Sequence, residues 1–270
     1  ATTEIYTRSI VGQRQMCIRD SLATLRAAEI ALDLGGQISA MGFASRAHWT
    51  GASDVDLEKI AVVSGLVIRD GELATNPFVD DQFALAVVTT DYALAVDQPL
   101  HQSERNGRSL SYQLGLSGAI SGLERWRRRR RPSHLGPYPV ETVRRVEKPT
   151  TLIFEDEVPR VPTRANMYVR THFGDLSQKA AREANRWSQK HPVSQGLVRP
   201  MWGLKTLQDG QAATKTAPET QDADANSRAL KALSHYLGSA ITGICEIPDY
   251  CWYCLLYTSD AADDTPCVDL

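Results

Sequence analysis

The residues of this chain whose type and spacing are best suited to chemistry are cysteines near its C-terminal end. Cys251 and Cys254 are separated by two residues, a spacing at which a pair of thiols often binds a metal or undergoes redox chemistry. A four-ligand thiolate site needs a second such pair. The other cysteines are Cys17, Cys245 and Cys267, and no two of them form one. The pattern therefore predicts no metal centre.

Two segments read as translated adapter DNA. Residues 15–21 back-translate to CAG ATG TGT ATA AGA GAC AG, and residues 254–260 to TGT CTC TTA TAC ACA TCT GAC. These are the two strands of one duplex, and they resemble a transposase adapter left in a sequencing library. Such segments are excluded from fold reasoning. We therefore predict that residues 1–21 and 254–270 are non-native ends, which makes Cys254 an artefact.

Between those ends the composition is that of an ordinary globular protein. The whole chain has 42% hydrophobic residues and a formal net charge of −2, and residues 22–253 are close to neutral. No apolar run approaches the ~20 residues that a membrane helix needs, so the sequence predicts no membrane span. Cys245 and Cys251 are the thiols that remain, and so few thiols favour a reducing compartment.

The first segment, residues 22–103, predicts a helix–strand–helix–strand unit. Apolar residues recur at helical spacing from Leu22 to Leu34, and Gly35 with Gly36 is a typical helix stop. The other predicted elements are a strand at 37–43, a helix and a strand at Phe83–Thr90. The helix starts at a capping-box-like pair, Ser53 followed by Asp56 in place of the usual Glu, and ends near Gly65.

The second segment, residues 104–149, has the composition of a linker. A run of arginines extends from Arg125 to Arg131 around Trp126, and prolines recur after it. The run could bind phosphate. It is more often a solvated helix end, where cations suit the helix dipole. Apart from Trp126, no aromatic residue is interleaved with the run, and no recognition fold accompanies it, so nucleic acid is not the favoured partner.

The third segment, residues 150–253, again mixes helices and strands. Its predicted elements are a strand at 150–154, a helix at about 175–190, a helix capped by Asn226 and Ser227 and ended by Gly238, and a strand at Ala240–Ile247. Together the segments predict the α/β class, as two incomplete units joined by an Arg/Pro-rich linker.

The stretch Asn76–Leu100 carries a resemblance to a known family. It reads as a proline-anchored turn, a buried strand rich in β-branched residues, and a second turn that ends at Pro99. As a word pattern it resembles the tail of the cobalamin-binding core of reductive dehalogenases, especially the soluble catabolic type. In that family the iron–sulfur cysteines follow directly, whereas here the next cysteine is Cys245.

Residues 226–253 resemble the opening of the same core, and Arg160–Ala165 with Lys190–Pro192 fits its lead-in. A segment that resembles the C-terminal part of the core therefore precedes a segment that resembles the N-terminal part of the core. Scrambled order is one explanation. Tandem duplication is the better one, because the catabolic dehalogenases resemble a degenerate copy joined by a linker to a working copy. Residues 22–103 are then the C-terminal part of a degenerate first repeat, 104–149 the linker, and 150–253 the N-terminal part of the second repeat.

The resemblance implies candidate site residues. In this family a cobalt corrinoid reduces the carbon–halogen bond, and the protein supplies positioning and a proton. A tyrosine can donate that proton if a nearby cation lowers its pKa from ~10. Tyr253, and after it Tyr250, occupy the region where the resemblance puts substrate-facing aromatic side chains. Packing at a strand end is the alternative role for both.

The sequence thus predicts an internal fragment of a cytoplasmic oxidoreductase, a reductive dehalogenase dependent on cobalamin and iron–sulfur clusters. The full-length protein would act on an organohalide and take electrons from a donor, whereas the fragment alone would hold no cofactor and be inactive. The same half-motifs resemble the epoxyqueuosine reductases, which share the cofactors and reduce a tRNA base. A non-catalytic scaffold or nucleic-acid-binding piece, acting through Arg125–Arg131, is the alternative from another class.

Overall fold

Helices pack on both faces of one antiparallel sheet. In this computed structural model the described residues are 2–6, 13–70, 73–79, 83–106, 130–149, 170, 176–184 and 192–252. The helices are α1 (Gln13–Ala40), α2 (Leu57–Val63), α3 (Gln178–Ala184), α4 (Pro192–Leu204) and α5 (Ala223–Leu237). The strands are β1 (Thr2–Tyr6), β2 (Ser45–Trp49), β3 (Ile68–Asp70), β4 (Leu73–Thr75), β5 (Ala84–Thr90), β6 (Asp209–Gly210) and β7 (Ile241–Ile244).

The main sheet has five strands in the order β6-β2-β5-β1-β7, and each neighbouring pair is antiparallel. β3 and β4 form a separate hairpin. From Ala84 to Val88 the central strand β5 carries alanine, leucine and valine on both faces, as expected of a strand that is covered on both sides, and it ends in the half-buried Thr89 and Thr90. The predicted mixture of helices and strands is confirmed, and the strand predicted at Phe83–Thr90 is β5.

The core lies in two layers on either side of this sheet. On one face α1 and α5 pack over the β5 residues Ala84, Ala86 and Val88. On the other face α2 packs over Val87, and the segment after α2 packs over Leu85. Successive residues of a strand point to opposite faces, so one apolar run supplies both layers.

α1 is longer than predicted, because the pair Gly35–Gly36 does not end it. Ser45 Oγ donates to the carbonyl of Gly35 at 2.8 Å, and a Cβ at Gly35 would lie 3.4 Å from that hydroxyl. Glycine at this position lets the helix approach β2 closely. The strand predicted at 37–43 is therefore wrong, since the helix continues to Ala40. Neither α1 nor any other described helix is both long and apolar enough to cross a membrane.

The helix caps were predicted in part. α2 starts three residues later than the predicted capping box of Ser53 and Asp56, because Asp56 is itself the N-cap and accepts from the backbone N–H of Lys59 at 3.1 Å. α5 ends at Gly238, as predicted, with a φ of 111° that suits glycine. The predicted start of α5 is wrong, because Asp222 is the N-cap and Asn226 and Ser227 lie inside the helix.

The predicted first and third segments share one sheet. β2 and β5 come from residues 22–103, and β6 and β7 come from residues 150–253. Part of the predicted linker packs on them as well, because His101 N donates to Arg144 O at 2.8 Å and Val146 N donates to Pro99 O at 2.9 Å. The sheet is therefore not divided into two units. The descent of the segments from two repeats stays a prediction.

Residues 1–21 were left out of the predicted fold, yet they supply β1 and the start of α1. β1 pairs with β5 on one side and β7 on the other. Strand edges present unpaired N–H and C=O groups, so an extended segment placed between them pairs readily. The expectation that residues 1–21 take no part in the fold is therefore wrong. Their non-native origin stays a prediction.

Candidate functional site

The stretch that carries the resemblance begins with a side chain that builds a turn. Asn76 is buried; its Nδ2 donates to the carbonyl of Leu66 at 2.6 Å. Its Oδ1 accepts from Phe78 N at 2.8 Å and from Val79 N at 3.1 Å. Every polar atom of this amide side chain has a backbone partner, so Asn76 fixes the entry to β5 and is not free for a ligand.

The same stretch ends at a carboxylate with a structural role. Asp97 N donates to Ile244 O at 2.7 Å, and Asp97 Oδ2 accepts from Ile244 N at 2.8 Å. Asp97 Oδ1 accepts from Lys231 Nζ at 2.6 Å. Sequence reasoning gave Asp97 no role. Its place directly before Gln98 and Pro99, in the turn that closes the pattern, was the available signal.

Two residues that were predicted to cap a helix hold this stretch instead. Asn226 Nδ2 donates to the carbonyls of Ala93, at 2.9 Å, and Thr220, at 3.0 Å. Ser227 Oγ donates to the carbonyl of Ala95 at 3.1 Å. Both side chains belong to α5, which opens the second resembling segment. The two segments that resemble halves of one core are therefore in direct contact.

A small cavity lies where α5, β7 and the segment 131–146 meet. It has a volume of about 160 Å³, and the charged or titratable side chains that line it are Asp97, His134, Glu141, Arg145, Lys231 and His235. Burial lowers the pKa of Arg145, and the charge of Asp97 opposes that shift. Pockets for drug-sized ligands measure about 300–1,000 Å³, so this cavity is too small for a corrinoid.

His235 is enclosed at one side of this cavity. Its Nδ1 faces the carbonyl of Ser239 at 3.1 Å, so this nitrogen carries the proton and donates. A Cβ at Gly136 would lie 2.5 Å from the ring, which shows how closely the backbone of that turn approaches it. Burial lowers the pKa of His235. Its contacts make it a packing residue.

Tyr250 lies in a turn that is tied to the start of α2. The carbonyl of Tyr250 accepts from Lys59 Nζ at 3.4 Å, and the carbonyl of Cys251 accepts from Asp56 N at 2.7 Å. Trp252 then forms a β-bridge with Val55. Tyr250 is half-buried among apolar neighbours. Tyr253, the first candidate for a catalytic role, lies outside the described residues.

The thiols do not fit as ligands of an iron–sulfur cluster. Cys245 and Cys251 are buried in an apolar cluster with Val55, Ile60 and Val87. Burial raises the pKa of the Cys245 thiol to about 11, whereas a metal ligand must be a thiolate. Within the described ranges no group of three or more His, Cys, Asp or Glu side chains is placed to hold a metal.

The described end of the arginine run binds within the chain. Arg131 forms an ion pair with Glu141 and donates to the carbonyls of Tyr138, at 2.6 Å, and Leu135, at 3.4 Å. Its Nη1 and Nη2 groups are therefore engaged within the chain, and its Nε, which has no partner within the described part of the chain, is buried. Residues 125–129 lie outside the described residues. The alternative of nucleic-acid binding through this run loses the support of Arg131.

The chain is similar to solved structures of reductive dehalogenases. It has 37% sequence identity to the N-terminally tagged catabolic reductive dehalogenase NpRdhA, with 80% of this chain and 32% of that chain covered and a TM-score of 0.43. To that enzyme in complex with 3-bromo-4-hydroxybenzoic acid it has 36% sequence identity, with 83% of this chain and 34% of that chain covered and a TM-score of 0.44. To a reductive dehalogenase structure described with a mechanism for B12-dependent dehalogenation it has 36% sequence identity, with 84% of this chain and 33% of that chain covered and a TM-score of 0.40.

The chain spans about a third of the length of these solved structures. The likeness lies in the sequence identity and not in the superposition, whose TM-scores are low. No protein-family model matches the chain. No curated protein matches it either.

Proposed function

We propose that this reductive dehalogenase-like chain is an internal piece of a reductive dehalogenase that depends on cobalamin and iron–sulfur clusters and removes halide from an organohalide. The observation that supports the proposal best is the sequence identity of 36–37% to reductive dehalogenases over 80–84% of the chain. One of those relatives is described as B12-dependent, and one holds a brominated hydroxybenzoic acid. On the same resemblance we assign the full-length protein to the cytoplasm and give it an electron donor as partner.

The proposal assigns the cofactor sites to parts of the protein outside the described residues. The cavity of about 160 Å³ does not fit a corrinoid, and the buried thiols do not fit a cluster. In the proposed organisation, residues 22–103 end a degenerate repeat, 104–149 link it to the next, and 150–253 begin a working repeat. The purified chain should then show no dehalogenase turnover, and measured turnover would contradict the proposal.

The non-native ends are tested on DNA. Amplifying the locus from source DNA, without transposase adapters, should give a reading frame that lacks residues 13–21 and 254–264. The same product should extend past Tyr253 into a segment with iron–sulfur cysteines. Finding both peptides in the genome would instead show that they are native. Each outcome is independent of any enzyme assay.

The chemical role that we propose for this chain is proton donation by Tyr253 to the carbon that loses halide. Such a tyrosine needs a nearby cation that lowers its pKa. We assign that cation to the part of the protein beyond residue 253, because Lys59, whose ammonium group lies 3.4 Å from the carbonyl of Tyr250, is engaged within the preceding turn. Asp56 shares that ammonium group at 3.3 Å. Tyr250 is the second candidate.

The full-length enzyme tests this role. Tyr253→Phe keeps the ring and removes the hydroxyl, so turnover should fall by roughly 10²–10⁴, the scale of general acid catalysis. Corrinoid and cluster content should stay normal. Tyr236→Phe is the matched control, because Tyr236 is 86% exposed on α5. If Tyr253→Phe keeps near-normal turnover, Tyr253 is a packing residue and Tyr250→Phe is the next variant.

A further inference from the structure

The cavity between α5, β7 and the segment 131–146 is lined by cations as well as by apolar side chains. Its cations are Lys231 and Arg145, and its apolar residues are Leu135, Val140 and Ile241. Its volume is about 160 Å³. Because a water molecule takes up ~30 Å³ of the liquid, this space suits a molecule of about five non-hydrogen atoms.

The charged groups around the cavity are not balanced. Asp97 Oδ1 accepts from Lys231 Nζ at 2.6 Å, and the same carboxylate also attracts Arg145. Glu141, the other carboxylate that lines the cavity, forms an ion pair with Arg131. Among the described residues that line the cavity, together with their ion-pair partners, three cations are thus grouped with two carboxylates. An anion with a single charge would balance the set.

Arg145 has the donors that such an anion needs. Its Nη1 donates to the carbonyl of Gln98 and packs against Gly65, which leaves room for it because glycine has no Cβ. The hydrogen bonds of the described residues use neither Nη2 nor Nε of Arg145. These two groups lie side by side on one edge of the guanidinium, where they can donate to both oxygens of one carboxylate. Lys231 has three N–H donors, and Asp97 takes one of them.

We propose that this cavity is a binding site for a small monocarboxylate with a short apolar group. The carboxylate is held by the free edge of Arg145 and by the ammonium group of Lys231, and the apolar group lies among Leu135, Val140 and Ile241. Hydrogen bonds between charged partners are stronger than neutral ones, and the planar guanidinium matches a carboxylate in shape. The site should therefore prefer a carboxylate both to an amide and to a spherical anion.

The first test uses propionate, which has about the number of atoms that the cavity can take. Calorimetric titration of the full chain with sodium propionate at constant ionic strength should show saturable binding. Propionamide has the same shape without the charge and should bind at least about tenfold more weakly. A titration without saturation, or equal affinity for propionate and propionamide, would overturn the proposal.

The second test changes the proposed donor. Arg145→Gln removes the charged edge and should weaken propionate binding by at least about tenfold. Arg144→Gln is the matched control, because Arg144 is the exposed neighbour and its backbone N–H, not its side chain, bonds to Glu104 at 3.2 Å. This control should keep the affinity of the unaltered chain. Equal affinity of the two variants would overturn the assignment of Arg145.

Circular dichroism establishes that each variant is folded. If Arg145→Gln fails to fold, Arg145→Lys against Arg144→Lys decides, since lysine keeps the charge but not the paired donors, and propionate binding should still weaken in Arg145→Lys. Chloride that displaces propionate at equal concentration would show a site for spherical anions and overturn the proposal. All of these measurements read binding and not turnover, so they are independent of the proposed dehalogenase function.

Discussion

Asp97 and Ile244 are joined by a reciprocal pair of hydrogen bonds. Asp97 N donates to Ile244 O at 2.7 Å, and Ile244 N donates to the Asp97 carboxylate at 2.8 Å. The same carboxylate accepts from Lys231 Nζ at 2.6 Å. Because Asp97 belongs to the first segment and the other two residues to the third, one side chain ties the two segments together.

Asp97→Asn should lower the free energy of unfolding by about 1–3 kcal/mol, the usual cost of leaving a buried polar group without its partner. The amide retains one acceptor, but it cannot neutralise Lys231, whose side chain is only 18% exposed. Urea denaturation measures the change. Glu246→Gln is the control, since Glu246 is exposed next to β7. Equal effects of the two variants would show that Asp97 has no special role.

His48 should make the stability of the chain fall with acid. The ring is fully buried; its Nδ1 accepts from Asp54 N at 3.4 Å, and its Nε2 donates to Thr89 Oγ1 at 3.1 Å. Burial lowers the pKa of His48 from 6.5 to about 4. Between these pH values the unfolded chain binds a proton that the folded chain does not. The stabilisation is therefore complete above pH 6.5 and is lost as the pH falls toward 4.

The size of this loss is about 3 kcal/mol, since each unit of pKa difference corresponds to ~1.36 kcal/mol. Urea unfolding at a series of pH values measures it. His48→Gln should flatten the acid side of the profile, because glutamine has no proton to take up. His101→Gln, a change near the surface, should leave the fall of the free energy of unfolding with acid unchanged. A profile that is equally steep in His48→Gln would assign the slope to other groups.

Two glycines should respond in opposite directions to alanine. A Cβ at Gly36 meets nothing within 4 Å on the exposed side of α1, so Gly36→Ala should stabilise by about 0.5–1 kcal/mol through helix propensity. A Cβ at Gly243 would lie 2.6 Å from the carbonyl oxygen of Ser64, so Gly243→Ala should destabilise. Thermal unfolding measures both. Stabilisation by both would mean that the end of α2 does not approach β7 this closely, and destabilisation by both would mean that helix propensity does not decide the outcome at Gly36.

The purified chain should not retain an iron–sulfur cluster after reconstitution with iron and sulfide. Cys245 and Cys251 are enclosed in the core, and a cluster needs four thiolates. Absorbance after gel filtration reads the result, with a ferredoxin treated in parallel as positive control. A cluster signal that persists in the chain and disappears in Cys245→Ser would contradict the expectation and assign that thiol as a ligand.

Elements with a strong local signal were predictable from the sequence. β5 follows from its run of β-branched residues, and the end of α5 follows from Gly238. Gly35 was misread because a glycine that ends a helix and a glycine that lets it pack closely look the same in sequence. Asn226 and Ser227 were misread for a similar reason, since their side chains bind the carbonyls of a distant loop.

Strand partners were not predictable, because pairing is a property of residues far apart in the chain. Nothing local in Ile241–Ile244 indicates that this strand shares a sheet with Ser45–Trp49, or that Thr2–Tyr6 lies between β5 and β7. The role of Asp97 depends on that arrangement, so it was missed as well. The catalytic assignment of Tyr253 came from family resemblance and stays a prediction.

The mixed origin of the sheet strands changes what holds the protein together. Because β2 and β5 share a sheet with β6 and β7, cutting the backbone between residues 106 and 130 would give two polypeptides that stay associated. They would separate on heating in one cooperative transition with the loss of the sheet. In thermodynamic terms the chain is a heterodimer whose subunits are covalently joined, and the covalent joint sets their local concentration.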